Sequence, residues 1–400
     1  MSIPVTQLSF QAHPYPHYAH YRRQAAFVWD DASSCWLASR AATVHAVLQS
    51  QNCAVRPIGE KIPNAIQGSN AGAIFAELVR MNEGDQHQVA KAALMQSLAT
   101  INPMRMSELM RRENFFLSSV PHVSADLNEW MFALPVRTMA MILGFNAAES
   151  QLLAHEIRSF VACLSASSGQ AKLHEASVAA ARLQQSMERL VESHSNDAAS
   201  FVFTLQTSAR EYGWHTHSAI IANMIGLLSQ TYEATAAFLG NTLVQLHQQA
   251  GWRDQLRQQF AAEEPDALSS LAAFITEVAR FDPAIHSTRR FVSEDCCIEG
   301  QELRAGETII LLLAAANRDE TLYTDAERFN PRREQIAQWG FSAGRHACPG
   351  KQIAHEIVRQ AASYLLKHWS EAQWKNLAWE YRPSLNARIP HFSRHTEASL

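Results

Sequence analysis

The residues Gly340-Phe341-Ser342-Ala343-Gly344-Arg345-His346-Ala347-Cys348-Pro349-Gly350 carry the strongest signal in the chain. They precede Gln352–Lys367, where apolar residues recur at helical spacing. A cysteine near the N-terminus of a helix lies in a positive field, which favours the thiolate. Glycines at 344 and 350 let the backbone turn tightly and approach a flat group closely. The stretch therefore predicts a thiolate beside a flat ligand, with Phe341 shielding the sulfur from water.

Four of these residues, Phe341, Gly344, Cys348 and Gly350, fit the pattern Phe-x-x-Gly-x-x-x-Cys-x-Gly without a gap. The stretch therefore resembles the haem-binding loop of the cytochrome P-450 family. The resemblance implies a haem b cofactor whose iron is bound by Cys348. A thiolate on haem iron pushes electron density that favours cleavage of O2. The alternative is a glycine-rich loop with a chance cysteine.

Upstream, Glu277 and Arg280 stand three residues apart, so on a helix they lie on one face and can pair. The alternative is an ordinary surface ion pair, worth little. The spacing resembles the Glu-x-x-Arg pair of the same family, and Asp325–Phe329 resembles its Pro-Glu-Arg-Phe segment, with Ala326 in the proline place. The resemblance implies a buried network of Glu277, Arg280 and Arg328 that supports folding and positions the cysteine loop.

Composition narrows the class of protein. The 400 residues carry a formal charge of −4, which gives no support for a nucleic-acid partner. The six cysteines form no CxxC pair, so a zinc site is not expected. Met1–Phe10 lacks the features of a signal peptide, and no stretch has the roughly 18 apolar residues of a membrane span. We expect a cytoplasmic protein with reduced thiols.

The hydrophobic periodicity is mostly helical. It is clearest in Asp85–Leu98, Met104–Asn114, Ala148–Ala162, Ser177–Ser193, Trp214–Ala250 and Leu268–Phe281. The long segment Trp214–Ala250 is apolar nearly all round its middle, which predicts a helix through a core. Strand patterns cluster in Phe27–Ala38 and Cys296–Leu313. No convincing linker occurs, so we predict one domain over residues 1–400: mainly α, a cytochrome P-450 fold with a long central distal helix and a small β-sheet region.

The two propionate carboxylates of a haem need cationic partners or strong donors. Four residues occupy matching family positions: His87 and Lys91, in place of a His-x-x-x-Arg pair, Arg290 at the start of a predicted strand Arg290–Asp295, and His346. Singly, each is an ordinary surface residue. Together, the resemblance implies that all four contact the haem.

The distal helix departs from the family pattern Ala-Gly-x-Glu/Asp-Thr, because here it reads Gln230-Thr231-Tyr232-Glu233-Ala234-Thr235. Glu233 fits the acid position, and a solvated site is not expected inside the apolar stretch Met224–Leu239, so we predict that it delivers protons. Ala234 replaces the usual threonine. Thr235 points about 100° further round the helix, so Thr235 and Thr231 are only indirect substitutes.

The expected substrate is a small or medium-sized organic molecule with some hydrogen-bonding groups, of the kind met in secondary metabolism. Its predicted contacts are Met224, Leu227, Leu228, Gln230, Thr231, Ala234, Ile285, His286, Thr288 and the loop Ile66–Ile74. Electrons would come from a ferredoxin and a ferredoxin reductase. The sequence gives only a weak indication of their docking face, because Gln88–Ala93 contains a single cation, Lys91. Arg345 and Lys351 are further candidates for docking cations. A monomer is expected.

Three functions remain open. The first is a monooxygenase that inserts one atom of O2. The second, motivated by Ala234, is an atypical member of the family: a peroxide-driven oxidase, or an enzyme of coupling, ring closure or dehydration. The third is a haem protein that binds or senses a gas without turnover, against which the buried acid on the distal helix argues.

Overall fold

The computed structural model describes residues 3–112, 125–164, 168–334 and 336–394. The α-helices are α1 (Tyr15–Arg22), α2 (Ala41–Gln49), α3 (Asn70–Glu77), α4 (Gly84–Ala99), α5 (Pro103–Arg112), α6 (Ala125–Leu143), α7 (Ala147–Val161), α8 (Gln170–His194), α9 (Phe201–Glu211), α10 (His217–Gln248), α11 (Ala250–Ala261), α12 (Ala267–Phe281), α13 (Leu313–Ala316), α14 (Lys351–His368) and α15 (Glu371–Lys375). The strands are β1 (Phe27–Asp30), β2 (Cys35–Ala38), β3 (Cys53–Ala54), β4 (Thr288–Val292), β5 (Cys296–Ile298), β6 (Gln301–Leu303), β7 (Thr308–Leu311), β8 (Leu377–Arg382) and β9 (Ile389–Arg394).

The chain divides into two compact units. The sheet unit comprises Met1–Cys53, Phe116–Met131 and Glu233–Leu400, and the helical unit comprises Ala54–Phe115 and Phe132–Tyr232, each within the described residues. In the helical unit α8 packs against α3, α7 and α9, and α4 packs against α9. In the sheet unit α12 packs against α11 and α14.

The main sheet has the strand order β1-β2-β7-β4-β3. Strand β2 runs parallel to β7, with Leu37 beside Ile310, and β4 runs antiparallel to β7. Because side chains alternate along a strand, Ile309 and Leu311 enter one hydrophobic cluster while Leu37 and Ile310 enter another on the opposite face. The strands predicted within Phe27–Ala38 and Cys296–Leu313 are confirmed.

The predicted helices are also present, and their described ends differ by at most three residues, except that α8 begins at Gln170 instead of the predicted Ser177. The long helix α10 buries most of its side chains from Ala219 to Leu246, as its apolar middle predicts. The end of the predicted helix Met104–Asn114 lies outside the described residues. Strand β4 begins at Thr288, two residues before the predicted start at Arg290. Among the described residues, no helix has the length and apolar character needed to cross a membrane.

Candidate active site

The cysteine loop runs from Gln338 to Gly350 and leads into α14. Two short 3₁₀ turns, Trp339–Phe341 and Gly344–His346, shape it. The backbone N–H of Cys348 donates to the carbonyl of Phe341 at 2.9 Å, which closes the loop. Cys348 is exposed and stands three residues before Lys351, the first residue of α14. The loop therefore places Cys348 just before α14, near the positive end of the helix dipole.

The loop rests on the end of α2. Gly344 has a φ of 65°, and a Cβ atom on it would lie 2.9 Å from the carbonyl oxygen of Leu48, so only glycine fits this close approach. The next residue, Arg345, donates to the carbonyls of Ser50 at 2.8 Å and Cys53 at 2.9 Å. Arg345 was a candidate for docking an electron donor. Its guanidinium instead satisfies backbone oxygens beyond the end of α2, which fixes the loop.

Phe341 lies in an aromatic cluster rather than at an open surface. Its ring meets Phe238 of α10 edge-on at 5.8 Å and His355 of α14 at 5.4 Å. The ammonium of Lys351 lies 5.8 Å from the same ring. Aromatic contacts of this kind hold a ring in place. The position of Phe341 is therefore set by α10 and α14 together.

The Glu277–Arg280 pair is fully buried on α12, with 0% of either side chain exposed. Arg280 binds Glu277 in bidentate fashion, at 2.9 and 2.7 Å. It also donates to the carbonyls of Asn317 at 3.0 Å and Ala326 at 2.9 Å. The alternative of an ordinary surface pair is thus wrong. The carboxylate and the guanidinium satisfy each other's charge, and the remaining donors tie α12 to two later segments.

The third cation of the network is not the one predicted. Arg328 is exposed and supplies its carbonyl, which accepts from Arg280 at 3.2 Å. Arg333 provides the side chain, with its Nε 3.4 Å from Glu277. Arg333 also donates to the carbonyls of Asp325 and Arg328, at 2.7 and 3.0 Å. The error has a physical reason: the chain turns back after Phe329, which brings residue 333 to the carboxylate.

Asn317 connects this network to the cysteine loop. Its side-chain oxygen accepts the N–H of Trp339 at 2.8 Å, while its backbone carbonyl accepts from Arg280. The buried pair on α12 is therefore one residue removed from the first turn of the loop. This geometry agrees with a role in positioning the loop rather than in chemistry.

The four predicted propionate contacts are divided between the units. In the sheet unit, Arg290 on β4 is 4% exposed and donates to the carbonyl of Arg289 at 2.8 Å, and His346 is half-buried in the cysteine loop. In the helical unit, His87 is buried and Lys91 half-buried, one turn apart on α4. Their contact with a haem stays a prediction.

On α10, Glu233 is exposed, contrary to the expectation that it is buried. Neighbouring protein nevertheless raises the pKa of its carboxyl group by desolvation, opposed by the guanidinium of Arg382, and solvent limits this shift because so much of the side chain is accessible. Thr235 is only 3% exposed. Thr231 donates its hydroxyl proton to the carbonyl of Leu228 at 2.7 Å. Ala234 is half-buried. Glu233 is therefore the accessible acid of this helix segment.

Several predicted substrate contacts can be placed. His286 has 0% exposed side chain, and its Nδ1 lies 2.9 Å from the hydroxyl of Tyr18. A side chain without accessible surface cannot touch a substrate in this conformation, so that prediction for His286 is corrected. Ile285 and Thr288, on either side of it, are half-buried. Sequence reasoning missed Tyr18 because it lies 268 residues away from its partner.

The remaining predicted contacts lie on the helical unit. Leu227 and Thr231 are half-buried and Gln230 is exposed, whereas Met224 and Leu228 have 0% exposure. The amide of Gln230 donates to the carbonyl of Gly226 at 2.9 Å, which leaves its oxygen to accept from a ligand. The predicted loop Ile66–Ile74 ends in the first residues of α3.

The residues of the cysteine loop fit a haem. The chemistry of the donor set suits iron, because the positive field at a helix N-terminus favours a thiolate and thiolates are soft metal ligands. A Cβ atom on Gly350 would lie 3.9 Å from the sulfur of Cys348, so glycine keeps the space beside the ligand atom open. Arg290 and His346 offer cationic or donor groups for carboxylates. The fold and this loop together place the protein in the class of haem-thiolate proteins.

Comparison with known proteins identifies the family. The sequence model of the cytochrome P450 family matches residues 167–373, which is more than half of the chain, and the chain belongs to this family. It is 27% identical to the putative cytochrome P450 133B2 of Xylella fastidiosa over 94% of this chain and 95% of that protein. Its cofactor is accordingly haem, and it is an oxidoreductase of the monooxygenase type.

Solved structures show the same fold. CalO2 superimposes with a TM-score of 0.83 at 20% identity, covering 98% of this chain and 97% of that chain. P450BioI, solved with an acyl carrier protein ligated to hexadec-9Z-enoic acid, superimposes with a TM-score of 0.78 at 20% identity, covering 95% and 97%. The predicted fold class is confirmed.

Proposed function

We propose that the protein inserts one oxygen atom from O2 into a small or medium-sized organic substrate, with electrons supplied by a ferredoxin and its reductase. The observation that carries this proposal is the exposed thiol of Cys348 in a loop held by its own N–H bond to Phe341, by α2 and by the α12 network. The protein is taken to be a cytoplasmic monomer. Haem b is the form of the cofactor that the proposal assumes.

When bound, the haem supplies the activation of O2, favoured by electron density from the thiolate. The chain's own groups hold it. Cys348 provides the ligand atom, and the N-terminus of α14 steadies its negative charge. Arg290 and His346 on the sheet unit, and His87 and Lys91 on the helical unit, are proposed to bind the propionates.

Glu233 is proposed to hold and pass on protons on the distal helix. A raised pKa keeps its carboxyl group protonated at a higher pH than an ordinary glutamate, so it can both give and regain a proton. Thr231 has its own proton engaged with Leu228, and Thr235 is buried. Neither is well placed to replace the hydroxyl that is missing at Ala234. Because Ala234 has no hydroxyl, we propose that a substrate group and ordered water complete the proton route.

The substrate is proposed to carry hydrogen-bonding groups beside an apolar body. The oxygen of Gln230 and the hydroxyl of Thr288 offer polar contacts, while Leu227 and Ile285 offer apolar ones. For electron transfer, the exposed Lys351 stays a candidate docking cation.

The first experiment is a carbon monoxide spectrum of the purified, reduced protein. A thiolate-ligated haem should give a strongly red-shifted band, and Cys348→Ser should lose it. Cys297→Ser changes another exposed cysteine of the sheet unit and should keep the band. A band that persists in Cys348→Ser would refute the assignment of the iron ligand.

The second candidate function is peroxide-driven or atypical chemistry, which Ala234 favours. It is distinguished by supplying either ¹⁸O-labelled O2 with redox partners or hydrogen peroxide alone. The proposed monooxygenase incorporates one labelled atom per product molecule. Turnover with peroxide but none with O2 and redox partners, or a product that contains no new oxygen, would replace the first proposal by the second.

A further inference from the structure

His355 on α14 is a half-buried titratable side chain behind the cysteine loop that the proposed chemistry does not use. Its ring lies 5.4 Å from that of Phe341, tilted by 32°, and 5.0 Å from Phe238, nearly edge-on. It is therefore wedged between the cysteine loop and α10. Its Nε2 lies 3.1 Å from the side-chain oxygen of Gln338.

The neighbouring bonds define which atom of this contact carries the proton. The amide nitrogen of Gln338 donates to the carbonyl of Thr276 on α12 at 3.4 Å, so its side-chain oxygen is the atom left to accept. His355 must then donate through Nε2–H. Burial lowers the pKa of His355, and the ammonium of Lys351, the charged group that faces the ring, lowers it further, to about 4. The ring is neutral at neutral pH.

This ring touches both ends of the turn that fixes the iron ligand. The carbonyl of Gln338 accepts the N–H of Phe341 at 3.0 Å, and the carbonyl of Phe341 accepts the N–H of Cys348 at 2.9 Å. Removing His355 would take away one aromatic contact of Phe341 and the hydrogen bond to the side-chain oxygen of Gln338 together. Both changes act on the N–H bond of Cys348, which is the residue that binds iron.

We propose that His355 is a positioning residue for the iron ligand: packed between Phe341 and Phe238 and donating to Gln338, it fixes the turn that orients Cys348. The inference rests on the proposed haem-thiolate site. Through His355 and Gln338, helices α10 and α12 would help to position Cys348 without involving the buried Glu277–Arg280 pair.

The test compares three variants of the full-length holoprotein. His355→Phe keeps a ring and loses the hydrogen bond, His355→Gln keeps a donor and loses the ring, and His355→Ala loses both. His368→Phe is the control, because this histidine lies at the far end of α14 against Tyr364, with ring centroids 4.4 Å apart. The readouts are the fraction of the reduced carbon monoxide complex with the red-shifted band and the reduction potential of the haem.

We expect His355→Ala to lose at least half of the red-shifted band in the haem-loaded protein. Its ferric–ferrous equilibrium should change tenfold or more, which is about 59 mV for a one-electron couple. His355→Phe and His355→Gln should fall between this variant and the wild type, and His368→Phe should match the wild type. A purely structural role would lower haem yield and melting temperature alike, yet leave band fraction and potential of the loaded protein unchanged.

That last result would overturn the inference while leaving the proposed function intact. If His355→Ala does not fold, His355→Phe and His355→Gln decide: wild-type bands and potentials in both also overturn it. A wild type without the red-shifted band would instead refute the proposed haem-thiolate site itself.

Discussion

At the scale of single residues, Glu233 carries the clearest test of the proton route. General acid–base groups contribute about a hundred- to ten-thousand-fold in rate. Glu233→Gln should slow O2-dependent turnover by that order while leaving substrate binding nearly unchanged, because the amide keeps the shape of the side chain and cannot transfer the proton. Turnover rate and the optical titration of substrate binding are the measurements.

Two controls sharpen this prediction. Glu302→Gln, on the exposed face of β6, should have no effect. Ala234→Thr should restore little of the activity lost in Glu233→Gln, since the proposed proton route already relies on a substrate group in place of the threonine. Unimpaired O2-dependent turnover of Glu233→Gln would exclude Glu233 from the proton route.

The buried ion pair gives a second prediction at this scale. Removing one partner of a buried pair costs about 3–5 kcal/mol, a large part of a typical unfolding free energy of about 5–15 kcal/mol. Glu277→Ala should therefore yield little haem-loaded protein. Arg333→Ala should lower the free energy of unfolding more than Arg328→Ala. Arg333 joins the network through its side chain, whereas Arg328 joins it only through its backbone carbonyl. Urea unfolding of the two arginine variants measures this, and equal losses would contradict the assignment.

At the scale of elements, the cysteine loop depends on its contact with α2. In Gly344→Ala the new methyl meets the carbonyl of Leu48 in a backbone of positive φ. Strain of that φ costs about 1–2 kcal/mol, and overpacking adds about 1–3 kcal/mol. Gly300→Ala, with a φ of 81° and open space around it, pays the strain alone. We expect Gly344→Ala to lose more unfolding free energy and more bound haem than Gly300→Ala.

At the scale of the whole molecule, acid should destabilise the protein through histidines that fold in the neutral form. Burial lowers the pKa of His355 to about 4 and that of His286 well below its ordinary value. The unfolded chain therefore binds more protons than the folded one below about pH 6.5. Stability is full above that pH and is lost as the pH falls toward the folded pKa, by up to about 1.4 kcal/mol per unit for each histidine.

This prediction is checked by urea unfolding at pH 7.5 and pH 5. The contribution of His355 alone is isolated by comparison with His355→Phe. The free energy of unfolding of the wild type should fall by about 2 kcal/mol more between these pH values than that of His355→Phe. His368→Phe should behave like the wild type. Equal losses in all three proteins would show that His355 titrates normally in the folded state.

Much of this molecule follows from local patterns. Three features depend on residues that are close together in the chain: the cysteine loop, the long helix α10 and the pairing of Glu277 with Arg280. Their spacing can therefore be recognised in the sequence alone. Helix α6 was missed because Pro135 lies inside it, and proline ordinarily breaks a helix.

The sequence by itself determined the family, the iron ligand that the resemblance implies, and most of the helices, because these depend on contiguous motifs and short periods. Only the tertiary structure decided the partners of individual side chains. Arg345 meets carbonyls 295 and 292 residues away, His286 is sealed by Tyr18, and Arg333 takes the place expected of Arg328. Such partners depend on which distant segments pack together. This packing is determined by the whole chain, and the residues next to either partner do not indicate it.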